Sequence, residues 1–152
     1  MSILFAVLHV VSAVFIAGPM AILPMTAMRA ARERNGAQVQ SLAKATYVFS
    51  LLSLVVFLLG FAALGMSAPK DNYSFKSIWI VGSMILYIVA LAVNLVVTVP
   101  AMRRVAADLT ASTGAEGVVS ASRPAGYGAI AGGSGIATLL LVAVVVLMVW
   151  KP

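Results

Sequence analysis

The sequence predicts an all-α fold: an integral membrane four-helix bundle of two hairpins, with both termini extracytoplasmic. Three observations predict it. The chain of 152 residues is 62% hydrophobic and only 9% charged, against about 45–50% and 25% in soluble domains. It contains four uncharged runs, each long enough to cross a bilayer. Its basic residues gather in alternate connections between those runs. A soluble domain of this size could not hide so much apolar side chain, and the mean hydropathy of +1.10 agrees. With one histidine, no cysteine and four acidic residues, disulfides, thiolate chemistry, iron–sulfur clusters and c-type haem attachment are excluded.

The uncharged runs lie at 1–28, 45–69, 77–102 and 124–150. They are read as spans of about 2–28, 45–68, 77–102 and 125–150 in one transmembrane domain, 1–152. A hydrocarbon core of about 30 Å needs roughly 20 helical residues, so each run crosses once, with a surplus for tilt or overhang. Stretches such as Leu51 to Leu59 are continuously apolar, whereas a membrane β-strand would alternate. The first run lacks a basic leader and a cleavage site before Arg29, so it reads as a retained span and not a signal peptide.

The connections set direction. The 29–44 connection carries Arg29, Arg32, Arg34 and Lys44, and the 103–123 connection carries Arg103, Arg104 and Arg123. The opposite side has only Lys70, Lys76 and Lys151. Positive-inside bias places both long connections in the cytoplasm of a bacterial plasma membrane and both termini outside, and Tyr73, Trp79 and Trp150 fall at the outer interface. A net charge of +6 is therefore topological, and nucleic acid is not expected as a partner. The arginines Arg29, Arg32, Arg34, Arg103 and Arg104 sit at headgroup level and are expected to contact anionic phospholipid. Both connections open on Ala-Met-Arg after a proline (Ala27-Met28-Arg29 and Ala101-Met102-Arg103), which suggests two hairpins of one orientation. The second connection turns at 112–117, rich in Ser, Thr and Gly.

Inside the spans, His9 is the single ionisable residue of the charge-changing kind, and such a residue is a functional hypothesis by default. Its bland reading is a hydrogen bond to a carbonyl or hydroxyl on a neighbouring helix. Its sharp reading is a haem or metal ligand. Ser83, Tyr87, Asn94 and Thr98 fall on one face of span three, and Thr46, Ser50, Ser53 and Gly60 form a similar stripe on span two. Such groups favour a protein neighbour over lipid. Their alternative use is a solute pathway, which the absence of a carboxylate or lysine in the spans disfavours. In span four, Gly128 with Gly132 and Ala129 with Gly133 are small-xxx-small pairs that permit close helix approach. Gly18-Pro19 and Pro24 predict an irregularity in span one.

Leu8-His9, Gly18 and the basic exit at Arg29, with Asn94, Pro100 and Arg103-Arg104 closing span three, resemble a family of small four-helix bacterial membrane proteins without an agreed activity. The Ala/Val-rich, lysine-poor style looks actinobacterial and is similar to accessory subunits of the cytochrome bcc–aa3 oxidase supercomplex. The resemblance implies a non-catalytic accessory or assembly subunit of a respiratory complex, partnered by larger membrane subunits and anionic phospholipid, with no cofactor of its own and no catalytic residue. Two other readings stay open: a small oligomeric transporter or channel, and a haem or metal protein using His9.

Overall fold

The computed structural model describes residues 2–66, 77–113 and 125–150. These form six α-helices: α1 (Ser2–Ser12), α2 (Gly18–Arg32), α3 (Gly36–Gly65), α4 (Ile78–Val93), α5 (Val99–Thr113) and α6 (Tyr127–Trp150). One π turn, Ala13–Ala17, joins α1 to α2, and another, Asn94–Thr98, joins α4 to α5. The result is four helices long and apolar enough to cross a membrane: Ile3–Arg32, Gly36–Gly65, Ile78–Ser112 and Tyr127–Trp150. Lys70, Tyr73, Lys76, Arg123, Lys151 and residues 114–117 lie outside the described residues; of the turn expected at 112–117, Ser112 and Thr113 instead continue α5.

Both π turns stand in the same relation to a proline. Gly18 N–H bonds Ala13 O immediately before Pro19, and Val99 N–H bonds Asn94 O immediately before Pro100. A proline lacks the N–H and its ring collides with the carbonyl four residues back. Widening the preceding turn moves that carbonyl away from the ring, so each helix continues. The irregularity expected of span one thus takes the form of a π turn, and Pro24 sits inside α2.

The connection read from charge over 29–44 proves much shorter than that segment, because helix flanks a turn of only Glu33, Arg34 and Asn35. Arg34 adopts a left-handed φ of 54°. Its N–H bonds Ala31 O at 3.2 Å while Asn35 N–H bonds Ala30 O at 3.0 Å, the paired bonds of a Schellman cap. Asn35 then caps α3, its side chain accepting from Gln38 N–H at 3.0 Å. Likewise, Arg103 and Arg104 lie on α5 and not in a loop. Charge marks where the chain leaves lipid, whereas caps mark where the helix ends. The third span shows the difference best: its 35 residues extend about 52 Å at 1.5 Å each, well past a core of about 30 Å.

Packing differs between the two ends. At the basic end α2, α3, α5 and α6 surround one core in which Ala27, Ala30, Ala31, Ala43, Ala101 and Ala106 bring the helices close around Met102 and Val105. Gly36 fits there because a Cβ would lie 3.0 Å from Ala106 O and 3.1 Å from Leu109 Cβ. Ala27 and Ala101 of the two Ala-Met-Arg segments meet in this core with Met102, and Met28 packs against it. The π turns, however, begin 14 residues before Ala27 and 7 before Ala101, so the odd spans share devices without sharing one register. Towards the other end the chain separates into two pairs, α1 with α3 and α4 with α6. Residues 3–12 of α1 include none that is buried.

Span four corrects part of the small-residue reading. Gly128, Gly132 and Ala129 are exposed, with open space where a Cβ on either glycine would stand. Gly133 alone of the four is used inside the bundle: a Cβ there would lie 2.6 Å from Thr98 Oγ1. The two pairs have identical spacing, and only the rotation of α6 about its axis decides between them. Gly133→Ala should therefore destabilise by about 1–3 kcal/mol, the range for overpacking a tight contact. Gly132→Ala should be neutral or stabilising, because helix propensity improves and nothing is displaced. Thermal unfolding in detergent, followed by circular dichroism, compares the two.

Candidate functional site

The polar residues of the spans converge on the middle of the bundle, and a proline explains why. Pro24 has no N–H, so the carbonyl of Met20 loses its usual donor four residues on. In hydrocarbon no water replaces it. Asn94 of span three supplies the donor instead: its Nδ2 lies 3.4 Å from Met20 O and 3.4 Å from Ser50 Oγ. The carbonyl only accepts, so the amide nitrogen must face it. Both contacts are long for N–H···O bonds, but Asn94 and Met20 are 1% and 0% exposed and no solvent competes.

One turn nearer the open end, a second bridge joins spans two and three. Ser53 donates to Ser50 O at 2.7 Å, and the Tyr87 hydroxyl lies 2.7 Å from Ser53 Oγ. A serine has one proton, so Tyr87 is the donor to Ser53. Phe57 stacks on the Tyr87 ring at 5.0 Å and 13° and meets Phe61 edge-on at 4.8 Å. Ser83 and Thr46 are buried and bond their own helices, donating to Trp79 O at 2.7 Å and Leu42 O at 2.8 Å. Thr98 lies against the Gly133 notch, and the neighbouring Ser134 donates to Ala131 O at 3.3 Å. All four residues of the span-three stripe are buried, as are Thr46, Ser50 and Ser53.

His9 meets span two further along the same helix, at Val56 and Gly60. Its Nδ1 lies 2.8 Å from Val56 O, and a carbonyl requires that Nδ1 carry the proton. The ring rests on Gly60, where a Cβ would come within 3.0 Å of Cε1. Gly60 is thus the surface that admits the imidazole, a pairing the sequence reading missed. Its signal was a small residue on the span that follows in the first hairpin. Among the described residues no three of His, Cys, Asp and Glu stand close enough to hold a metal ion.

At the basic end the arginines have different surroundings. Arg32 Nε donates to Tyr127 OH at 2.7 Å, tying α2 to α6, and Arg103 lies over the Tyr47 ring at 5.3 Å. Arg29 pairs with Glu33 at 3.1 Å on an exposed helix face. Arg34 is placed by the left-handed turn, and Arg104 is exposed on α5. The tyrosine partners were not read from the sequence, because each lies on a different span from its arginine.

Four apolar helices with inward polar bridges and an arginine-bearing end define an α-helical integral membrane protein. The chain belongs to the DUF2269 family of predicted integral membrane proteins, whose profile matches residues 3–152. No curated protein and no solved structure matches it.

The bond order at Tyr87 yields an asymmetric prediction. Ser53→Ala leaves the Tyr87 hydroxyl buried without an acceptor and should cost about 1–3 kcal/mol. Tyr87→Phe leaves Ser53 still bonded to Ser50 O and should cost about 1 kcal/mol or less. Melting temperatures of the two variants in one detergent decide the order, and equal or inverted costs would contradict it.

Proposed function

We propose that this protein is a non-catalytic accessory or assembly subunit of a multisubunit membrane complex, acting by helix contact. The observation that carries this reading is the contrast among the spans. Only 6% of the most apolar window of span one is buried within the chain, against 28% for spans three and four. A helix so little used by its own bundle is available to another. The polar residues of spans two and three point the same way, since Thr46, Ser50, Ser53, Ser83, Tyr87, Asn94 and Thr98 are all buried within the chain and offer no continuous wet face to a solute.

In this reading the basic end faces the cytoplasm of a bacterial plasma membrane and both termini lie outside. The resemblance in sequence style favours a respiratory assembly of the cytochrome bcc–aa3 kind as the host. Arg29, Arg34, Arg103 and Arg104 would meet anionic phospholipid at the cytoplasmic surface, each such contact near the membrane surface worth about 1 kcal/mol. Exposed residues on successive turns of span one, Val7, Val11 and Val14, form the face offered to the larger subunits.

Gentle solubilisation of the native membrane and purification through a tag test the proposal. The tagged chain should co-migrate with larger subunits in native gels, and a photo-crosslinker at Val11 should join it to one of them. Migration alone, or only with itself, would contradict this role. Labelling by aqueous thiol reagents of cysteines placed at Ser83, Tyr87, Asn94 and Thr98 would instead support a transport pathway.

A further inference from the structure

Three buried side-chain oxygens have no partner among the described residues, Asn94 Oδ1, Thr98 Oγ1 and Thr138 Oγ1, and the first two lie together at the centre of the bundle. Their residues are 1% and 0% exposed. Both belong to the π turn Asn94–Thr98, where residues four apart share a face with Cβ atoms roughly 5–6 Å apart. All four spans contribute to the surroundings: Met20 O, Ser50 Oγ, the π turn itself, and Gly133. The π turn also changes the pairing of its own backbone. Val99 N–H goes to Asn94 O and Pro100 has none, so the carbonyls of Leu95 and Val96 lose their usual donors.

We propose that this centre binds one internal water molecule, held between Asn94 Oδ1 and Thr98 Oγ1. Asn94 Oδ1 can only accept and therefore calls for a donor, and a water supplies one while accepting from the threonine hydroxyl. Buried waters in proteins typically join two to four otherwise unsatisfied polar groups, and the set here is of that kind. A cation fits less well. The four acidic residues, Glu33, Asp71, Asp108 and Glu116, all lie outside the apolar runs, so neutral oxygens alone would have to offset a full charge away from water. A neutral donor needs no such compensation. The water would complete the bridge that Asn94 makes to the proline break of span one.

The test uses the full chain, ¹⁵N-labelled in detergent micelles. Cross-relaxation from water to the Asn94 side-chain amide should be present, should persist in Thr98→Ser, and should vanish in Thr98→Val. Thr98→Val should lower the melting temperature by about 2–4 °C, a shift of the size expected for one water-mediated bond. It should lower it no further when Asn94 is already Leu, because the water has then lost its other anchor. Absence of the water signal in the unaltered protein would overturn the proposal. So would a Thr98→Val variant that melts at the unaltered temperature, or one whose loss is the same in both backgrounds. A melting temperature raised by sodium over choline at fixed ionic strength, and no longer raised in Thr98→Val, would overturn it in favour of a bound cation.

Discussion

Within hydrocarbon every backbone carbonyl must find its donor inside the protein, and the prolines of the odd spans make that requirement acute. Pro24 deprives Met20 O of its donor, and the chain answers with the Asn94 amide from another span. The answer fixes more than one carbonyl. It places span three beside span one at the depth of Ser50, next to the π turn in which Thr98 faces Gly133. A local defect in one helix thereby becomes a long-range contact that specifies the arrangement of four.

Burial follows from where water can act. In lipid there is no hydrophobic drive between helices, and association rests on close packing and hydrogen bonds. The bundle accordingly uses hydroxyls, an amide and Gly133 in its middle. At the basic end the helices extend past the hydrocarbon, water is available, and apolar burial supplies the drive. The alanine-rich core with Met102 and Val105 forms there, tied across by Arg32 and Tyr127. Span one shares in that core only through its last two turns, and α1 beyond them packs along α3, where His9 reaches Val56 O.

Much of this was legible in the sequence, and the parts that were not have definite physical causes. The four crossings were plain because a bilayer demands long apolar runs, and those runs admit no competing fold. The face of Ser83, Tyr87, Asn94 and Thr98 was legible because helical spacing alone determines it. What each residue touches was not, because the Met20 partner of Asn94 is 74 positions away and depends on which spans are neighbours. Gly128 and Gly133 could not be told apart by pattern, since both have a small residue four positions off and only the rotation of α6 separates them. The tight turn at Arg34 was hidden because a string of basic residues resembles a loop, although Asn35 already supplied the cap.

The central claim is that Asn94 serves the carbonyl that Pro24 leaves bare. Its most direct measurement is the cost of Asn94→Leu in two backgrounds, the unaltered chain and Pro24→Ala, read from reversible unfolding in one detergent. Alanine restores an N–H to Met20 O. The cost should therefore be about 1–3 kcal/mol in the unaltered chain and clearly smaller with Ala at position 24. An equal cost in both backgrounds would contradict the account.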